Sequence, residues 1–535
     1  MTASKTLIFF MVLSLILRLF LCFQAPEVLI SRVASDDMFY YLCIARSIGE
    51  GLGATADGEN VTNGFHPLWA LTLVPLSRVV GEGDSMLQWS LALLSLFSVL
   101  SAWFLYRIAR LFCGEASSLL AALLWLFCPY PLLVALAGVE APLFVLMLGA
   151  ASYVYLLLRR KSLPADASRW RWAGVGLLAG AAVLARIDGL VLAAFIFIDV
   201  LFGKRDVSLP CRLGRALSFA CACFLVTLPW FAWSYMRTGY LLQVSGKAIY
   251  HQQHFIFWAQ HGTASLGEYA SVWVAMVLSN LQGALQSVLF LCGFKTGLFY
   301  AVFAMFAVIF IFAAILAPRR FREWAGKLAP LLFLFCYGLL MFFLYCGYLW
   351  YNQNWYYYSI FFIVLILGAC LIDLLDRTLF SFIPRHGRTY LWAALFVLLT
   401  GLSLLGTFRW WERGIRGWQI DGYRTAMWVK DNVPKESRIG SFNSGLLAYY
   451  CPQTVINLDG VVNGASYRAM KEGKSFSHIR KERLDYIVET PLSLRFRAAH
   501  SEREFLSSLA PIHAEATYPE SIARRNPVTV YRILP

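Results

Sequence analysis

Long apolar runs separated by short clusters of Lys and Arg make up most of the chain, and that alternation leaves few folds open to it. In lipid only a helix or a closed barrel satisfies its own backbone hydrogen bonds, and a spanning helix needs about 20 mainly apolar residues. Candidate spans fall at 5–24, 87–107, 116–136, 141–158, 172–187, 189–203, 215–235, 296–317, 329–348, 358–375 and 389–407. Charged residues make up 14% of the 535, against about 25% in a soluble domain. The net charge of +15 would raise nucleic acid as a partner, but no basic face or binding motif accompanies it, so none is expected.

The basic clusters are Arg107/Arg110, Arg159/Arg160/Lys161, Lys204/Arg205 with Arg212/Arg215, Arg319/Arg320/Arg322/Lys327 and Arg377/Arg385/Arg388. The positive-inside rule places them on the cytoplasmic side. The first run, Thr6 to Phe23, follows Lys5 and lacks a small-x-small cleavage pattern, so it reads as an uncleaved span with a cytoplasmic N-terminus. Two stretches are ambiguous. The run 67–80 is interrupted by Arg78 and Gly81-Glu82-Gly83-Asp84 and reads as interfacial, and 268–292 can be held outside as well. The expectation is then an α-helical polytopic membrane protein with about eleven spans, whose outer face carries 25–86, the turns at Glu140 and Asp188, 236–295, 349–357 and the tail.

That tail, 408–535, differs from the rest in its charges and in Pro434, Pro452, Pro511 and Pro519. A helix near Tyr423–Lys430 precedes strand-like runs at Arg438–Ser441, Thr454–Leu458 and Tyr486–Val488, which predicts a small external α/β domain after a membrane domain over 1–407. No internal repeat is visible, which weakens a transporter built from duplicated halves. The twelve Cys lie mostly within apolar runs and the tail holds only Cys451, so neither a disulfide framework nor a metal site is readable.

The outer loops hold almost every unusual polar residue. First comes Ser35-Asp36-Asp37-Met38-Phe39-Tyr40-Tyr41, two adjacent acids opening an amphipathic helix. One explanation is helix capping, which favours acids at an N-terminus. The other is a general base, since a partly dry membrane surface raises an aspartate's pKa into a useful range. At helical spacing Asp36 and Tyr40 share a face while Asp37 points roughly 100° away. Thr62-Asn63-Gly64-Phe65-His66-Pro67-Leu68-Trp69 follows as a tight turn into a short helix. His66 there is either structural or a hydrogen-bond donor to phosphate. Glu140 is either a cap or a cavity acid. Arg186 and Asp188 are either an interfacial ion pair or cavity residues, because charges near lipid are costly otherwise. Lys247 either snorkels or meets a phosphate, outer-face Lys being scarce under the charge bias; Arg46 is the alternative cation. Trp355, in Asn352-Gln353-Asn354-Trp355-Tyr356-Tyr357-Tyr358, is either part of an aromatic belt or a stacking residue at the sugar or lipid entrance.

The Asp36-Asp37 helix with Ala45-Arg46, followed by Thr62 to Trp69, resembles the first outer loop of bacterial GT-C-type glycosyltransferases, the aminoarabinosyl-, mannosyl- and arabinosyltransferases that use polyprenyl-phosphate sugars. Gly138-Val139-Glu140, Arg186-Ile187-Asp188-Gly189 and Asn457-Leu458-Asp459-Gly460 are shorter matches. The resemblance implies a GT-C-like fold in a bacterial inner membrane, with Asp36 as the base, Asp37 its companion, Glu140 facing the same cavity and Lys247 on the donor phosphate. It further implies inversion at the anomeric carbon and a lipid, glycan or protein acceptor. No cofactor is expected to be required, although Asp36, Asp37 and Glu140 would collect a divalent metal if they converged. The rival class is a multi-span transporter or flippase of a lipid-linked or small polar substrate, which would carry its charges near the bilayer midplane on broken helices. Here the acids lie at span ends on one face.

Overall fold

The structure is a computed structural model and describes residues 3–160, 169–202, 207–261, 265–289, 318–348, 353–378, 384–414, 416–498, 503–516 and 526–534. Among these, six helical stretches are long and apolar enough to cross a bilayer: Ser4–Cys22, Asp84–Ala109, Ala141–Arg160, Leu209–Thr238, Arg322–Cys346 and Asn354–Arg377. Arg169–Ala185 and Gly189–Phe202 are shorter, and a further helix, Arg385–Arg413, runs past the boundary expected at 407. The expected span 296–317 lies outside the described residues. Leu217, Phe224 and Leu225 stand exposed on the Leu209–Thr238 helix, as lipid-facing side chains do in a bundle whose solvent on that face is hydrocarbon.

The two ambiguous stretches are both helical. Pro67–Val80 has 14 residues, about 21 Å of helix, too short to cross about 30 Å of hydrocarbon unaided. Leu266–Leu289 covers most of the second.

The expected single span at 116–136 is instead broken. Glu115–Phe127 and Pro129–Ala135 meet at Cys128 with a bend of 48°. Pro129 and Pro131 supply no N–H, so carbonyls at the end of the first segment lose their helical donors. The break also strands the Leu126 carbonyl, whose helical donor would be Tyr130 N; it accepts instead from Ser14 Oγ at 2.9 Å and Arg18 Nη2 at 3.2 Å. The fully buried Arg18 thus lies against the C-terminal end of a broken helix, where a cation offsets the helix dipole.

In the C-terminal part the helix Gln419–Asn432 is followed by a five-stranded mixed sheet. Its strands are β1 (Arg438–Ser441), β2 (Thr454–Asn457), β3 (Tyr486–Glu489), β4 (Leu509–Glu515) and β5 (Val528–Ile533), in the order β2-β1-β3-β5-β4. β1 pairs parallel with β2 and β3, and β5 pairs antiparallel with β3 and β4. Phe442, Ile456, Phe476, Ile487 and Phe505 build a core under the sheet. The C-terminal ends of β1 and β2 carry the loops that face residues 36–64, and this positions the site.

Candidate active site

The helix Asp36–Gly49 is more deeply buried than its amphipathic pattern predicts. Met38, Phe39, Cys43, Ile44 and Ala45 are fully covered, because the helix lies between the membrane bundle and the C-terminal domain. Its N-cap, Ser35, does not cap it: the hydroxyl donates to Ala137 O at 2.7 Å. That bond tethers the helix to the turn before Glu140. Gly138 in the same turn has φ +83°, and a Cβ there would collide with the Met38 side chain, so only glycine lets the turn approach this closely.

The two aspartates part ways. Asp36 accepts from the backbone N–H groups of Gly445, at 3.1 Å on Oδ2, and Leu446, at 2.8 Å on Oδ1. It therefore caps a helix, but that of the distant domain, Gly445–Tyr450. Burial raises its pKa, and those two N–H donors pull it back down. The Asp37 carboxylate accepts no hydrogen bond from the described residues. Burial first, then the Asp36 charge, push it up to about 7, with Arg416 opposing and Asp459 and Glu140 adding to the rise. Both side chains keep part of their surface open. A half-open carboxyl titrating near neutrality is what general-base chemistry needs.

Tyr40 continues the docking seam. Its hydroxyl accepts from Ser444 N at 3.1 Å and from Asn457 Nδ2 at 3.3 Å. Tyr449 donates to Gly83 O at 2.8 Å, and Arg46 reaches Ala448 O at 3.4 Å. At Gly64 a Cβ would stand 2.0 Å from Val461 O. We expect Gly64→Ala to loosen the docked domain by roughly 1–3 kcal/mol, the usual range for overpacking a tight contact. Limited proteolysis of the tail measures it, and a wild-type cleavage rate would contradict the seam.

Glu140, Arg186 and Asp188 are all buried and form one network. Arg186 Nη1 pairs with Glu140 Oε1, and its Nε lies 2.9 Å from Asp188 Oδ2. Tyr345 donates to Asp188 at 2.6 Å and receives Arg186 Nη2 at 3.1 Å, while Tyr41 donates to Glu140 Oε2 at 2.7 Å. His66 Nε2 lies 3.5 Å from Glu140 Oε1, and Gln243 lies 3.5 Å from its Nδ1. Burial lowers the His66 pKa and the Glu140 charge only partly offsets that, so the ring is neutral at pH 7. The Arg186 guanidinium also lies 5.5 Å over the Tyr356 ring.

The remaining expected residues fall around these. Asn63 is occupied on both ends: Nδ2 donates to Ser234 Oγ at 2.7 Å, and Oδ1 accepts from Val244 N at 3.1 Å. It joins the loop before Pro67 to the segment that carries Gln243. Lys247, in the first turn of Val244–His261, rests 4.5 Å over the Tyr240 ring and makes no ion pair among the described residues. Trp355 is buried, with Arg416 5.4 Å above it. Asp36, Asp37 and Tyr40 thus share one helix; Glu140, Arg186, Asp188 and His66 form the adjoining network; Trp355 packs beside Tyr356, which the Arg186 guanidinium covers, and Lys247 rests on Tyr240.

Sequence reasoning missed Tyr41, Tyr345, Tyr356, Gln419 and Arg416. For Arg416 a signal existed: on the topology expected from sequence it falls on the outer face, where the charge bias makes basic residues scarce. As to a metal, no trio of His, Cys, Asp or Glu among the described residues is spaced to hold one. Asp36 is bonded to peptide N–H groups and Glu140 to Arg186.

Residues 66–233 match the family model described as Dolichyl-phosphate-mannose-protein mannosyltransferase. Residues 413–531 match a domain of unknown function, DUF8728. No curated protein matches the chain by sequence. Among solved structures the fold is similar to ArnT from Cupriavidus metallidurans in the apo state, with TM-score 0.60 and 13% identity over 99% of this chain and 98% of that one. The same protein bound to undecaprenyl phosphate gives 0.59 at 13% identity over the same shares. Archaeal oligosaccharyltransferase AglB from Archaeoglobus fulgidus, in complex with an inhibitory peptide and a dolichol-phosphate, gives 0.57 at 13% identity over 93% and 71%. The chain has a GT-C fold, shared with ArnT and AglB.

Proposed function

We propose that the protein transfers a sugar from a polyprenyl-phosphate donor to an acceptor hydroxyl at the extracytoplasmic rim of a bacterial plasma membrane, with Asp37 as the general base. One observation carries this reading. Asp37 is a partly exposed carboxylate, unbonded among the described residues and raised to about 7, on a helix wedged between the membrane bundle and the C-terminal domain. The base is therefore Asp37 and not Asp36, whose oxygens hold the domain.

The reaction is a single in-line displacement. The acceptor oxygen attacks the anomeric carbon, its proton passes to Asp37, and the bond from that carbon to the phosphate oxygen breaks with inversion. The leaving group departs as polyprenyl phosphate and needs no protonation, so a cation suffices to stabilise it. Lys247 suits that role: it stands in the first turn of an 18-residue helix, where the helix dipole adds to its charge. Glu140, Arg186 and Asp188 form a rigid wall holding His66 and Tyr41, and Trp355 supports the aromatic side. No metal enters this scheme, so EDTA is expected to leave turnover unchanged; an EDTA-sensitive rate restored by a divalent ion would contradict that.

The test uses the full chain in sealed liposomes, supplied with a panel of polyprenyl-phosphate sugars and a cell-envelope glycolipid fraction as acceptor. Mass spectrometry should show polyprenyl phosphate released in step with a glycosylated acceptor. Solute uptake coupled to a gradient, with every donor intact, would replace enzyme by transporter.

A further inference from the structure

The part of the chain that matches a domain of unknown function brings charged side chains to the site, not merely a cover. Two clasps do this. In the first, a turn closes as Gln419 N donates to Arg416 O at 2.8 Å. Arg416 Nε then donates to Val33 O at 3.1 Å and Gln419 Nε2 to Ala34 O at 3.1 Å. Val33 and Ala34 directly precede the Asp-pair helix, so this turn brings the guanidinium to its first turn, over Trp355. The Gln419 Oε1 atom is buried beside it with no donor among the described residues.

The second clasp is the loop after β2. Asn457 donates to the Tyr40 hydroxyl and accepts from Gly460 N at 3.0 Å and Val462 N at 3.4 Å. The loop so bent places Asp459, 9% exposed, with Oδ1 accepting from Val461 N at 2.9 Å and its backbone carbonyl receiving Gln252 Nε2 at 2.7 Å. Tyr40 is the helix neighbour of Asp37 at i, i+3, so the loop bonded to Tyr40 brings Asp459 to the same turn of the helix.

We propose that the C-terminal domain is an electrostatic half of the active site, in which Arg416 and Asp459 are positioning residues acting on Asp37 with opposite sign. This rests on the reading of Asp37 as the base. The charged and titratable groups facing Asp37 are Asp36 and Tyr40 from its own helix, Glu140 from the turn before Ala141, Tyr356 from the aromatic turn, and Arg416 and Asp459. Arg416 favours the carboxylate and Asp459 disfavours it, as neighbouring charges must in a partly dry site. Because both reach the site only when the domain is docked, undocking exposes Asp37 to water and removes its raised value.

The test needs neither donor nor acceptor. N,N′-dicyclohexylcarbodiimide adds across a protonated carboxyl in an apolar setting and ends as a stable N-acylurea, with nothing oxidised or reduced. The intact protein in nanodiscs is labelled from about pH 5 to about pH 9, a window that brackets a raised aspartate. Fragment-ion mass spectrometry distinguishes the adduct on Asp37 from that on Asp36. The wild type should lose Asp37 labelling with a midpoint near 7. Asp459→Asn should move that midpoint down, and Arg416→Gln up, each by about half a unit or more. Arg416→Lys keeps the charge and loses the planar fork, and should stay near the wild type; a shift as large as that of Arg416→Gln would make the role mere docking. Midpoints near 7 unmoved by either neutralisation, or moved in the same direction by both, overturn the inference. A wild-type midpoint near that of an ordinary aspartate, about 4, overturns the base assignment itself.

Discussion

Asp37→Asn should cut sugar transfer by about 10²–10⁴-fold, the usual worth of a positioned general base, in a protein that still folds. The amide keeps the shape and removes the proton acceptor. The stability of this variant is equally diagnostic. The folded-state carboxyl titrates at about 7, above the ordinary value of about 3.9, so the fold prefers it protonated. That contribution is complete below about pH 4 and is lost as pH rises through about 7. The Asn variant should therefore melt higher than the wild type at alkaline pH and together with it at acidic pH. Asp36→Asn should instead lose a docking contact. An amide oxygen replaces a carboxylate clamp on Gly445 and Leu446, costing about 1–3 kcal/mol of docking, so melting falls while part of the activity remains. Thermal melts against pH with both variants check this, and indistinguishable variants would refute the division of labour.

Arg186→Met should have the largest effect on stability. Glu140 and Asp188 are held buried by this one guanidinium, and removing one partner of a buried pair leaves charges uncompensated at a cost of about 3–5 kcal/mol. The expected result is poor yield and early aggregation on heating. Adding Glu140→Gln and Asp188→Asn to Arg186→Met should recover most of the stability, because the buried charge is then gone. Recovery of fold without recovery of turnover would separate the wall's structural role from its catalytic one. A stable, active Arg186→Met protein would show that the network is not what holds the wall.

Much of this was legible in the sequence because lipid imposes a severe length and polarity rule. The apolar runs and basic clusters pointed to the bundle, and Thr454–Leu458 and Tyr486–Val488 pointed to strands by their β-branched content. Local signals failed where a distant partner decides. Cys128-Pro129-Tyr130-Pro131 carried a break within 116–136, but an apolar run hid it, and the compensating Arg18 lies far away in the chain. β4 and β5 were missed: β4 contains Pro511 and His513, which demote it locally, and it is rescued by pairing with β5.

The site shows the same divide. Adjacent acids opening a helix marked the right turn, but which one is engaged depends on Gly445 and Leu446, about four hundred residues on. Asn63 stood in the sequence as part of a turn before His66, and the structure gives it a joining role. Arg416 was passed over as one basic residue among several near the membrane exit, and only the fold shows it clasped beside Asp37.

The pH dependence of kcat/KM for polyprenyl-phosphate-sugar consumption tests the central claim most directly, since it reports the essential base of the free enzyme. The account predicts an acid limb of unit slope with its midpoint near 7, the value at which Asp37 titrates, and the loss of that limb in Asp37→Asn. A flat profile down to about pH 5 in the wild type, or the same limb persisting in Asp37→Asn, would contradict it.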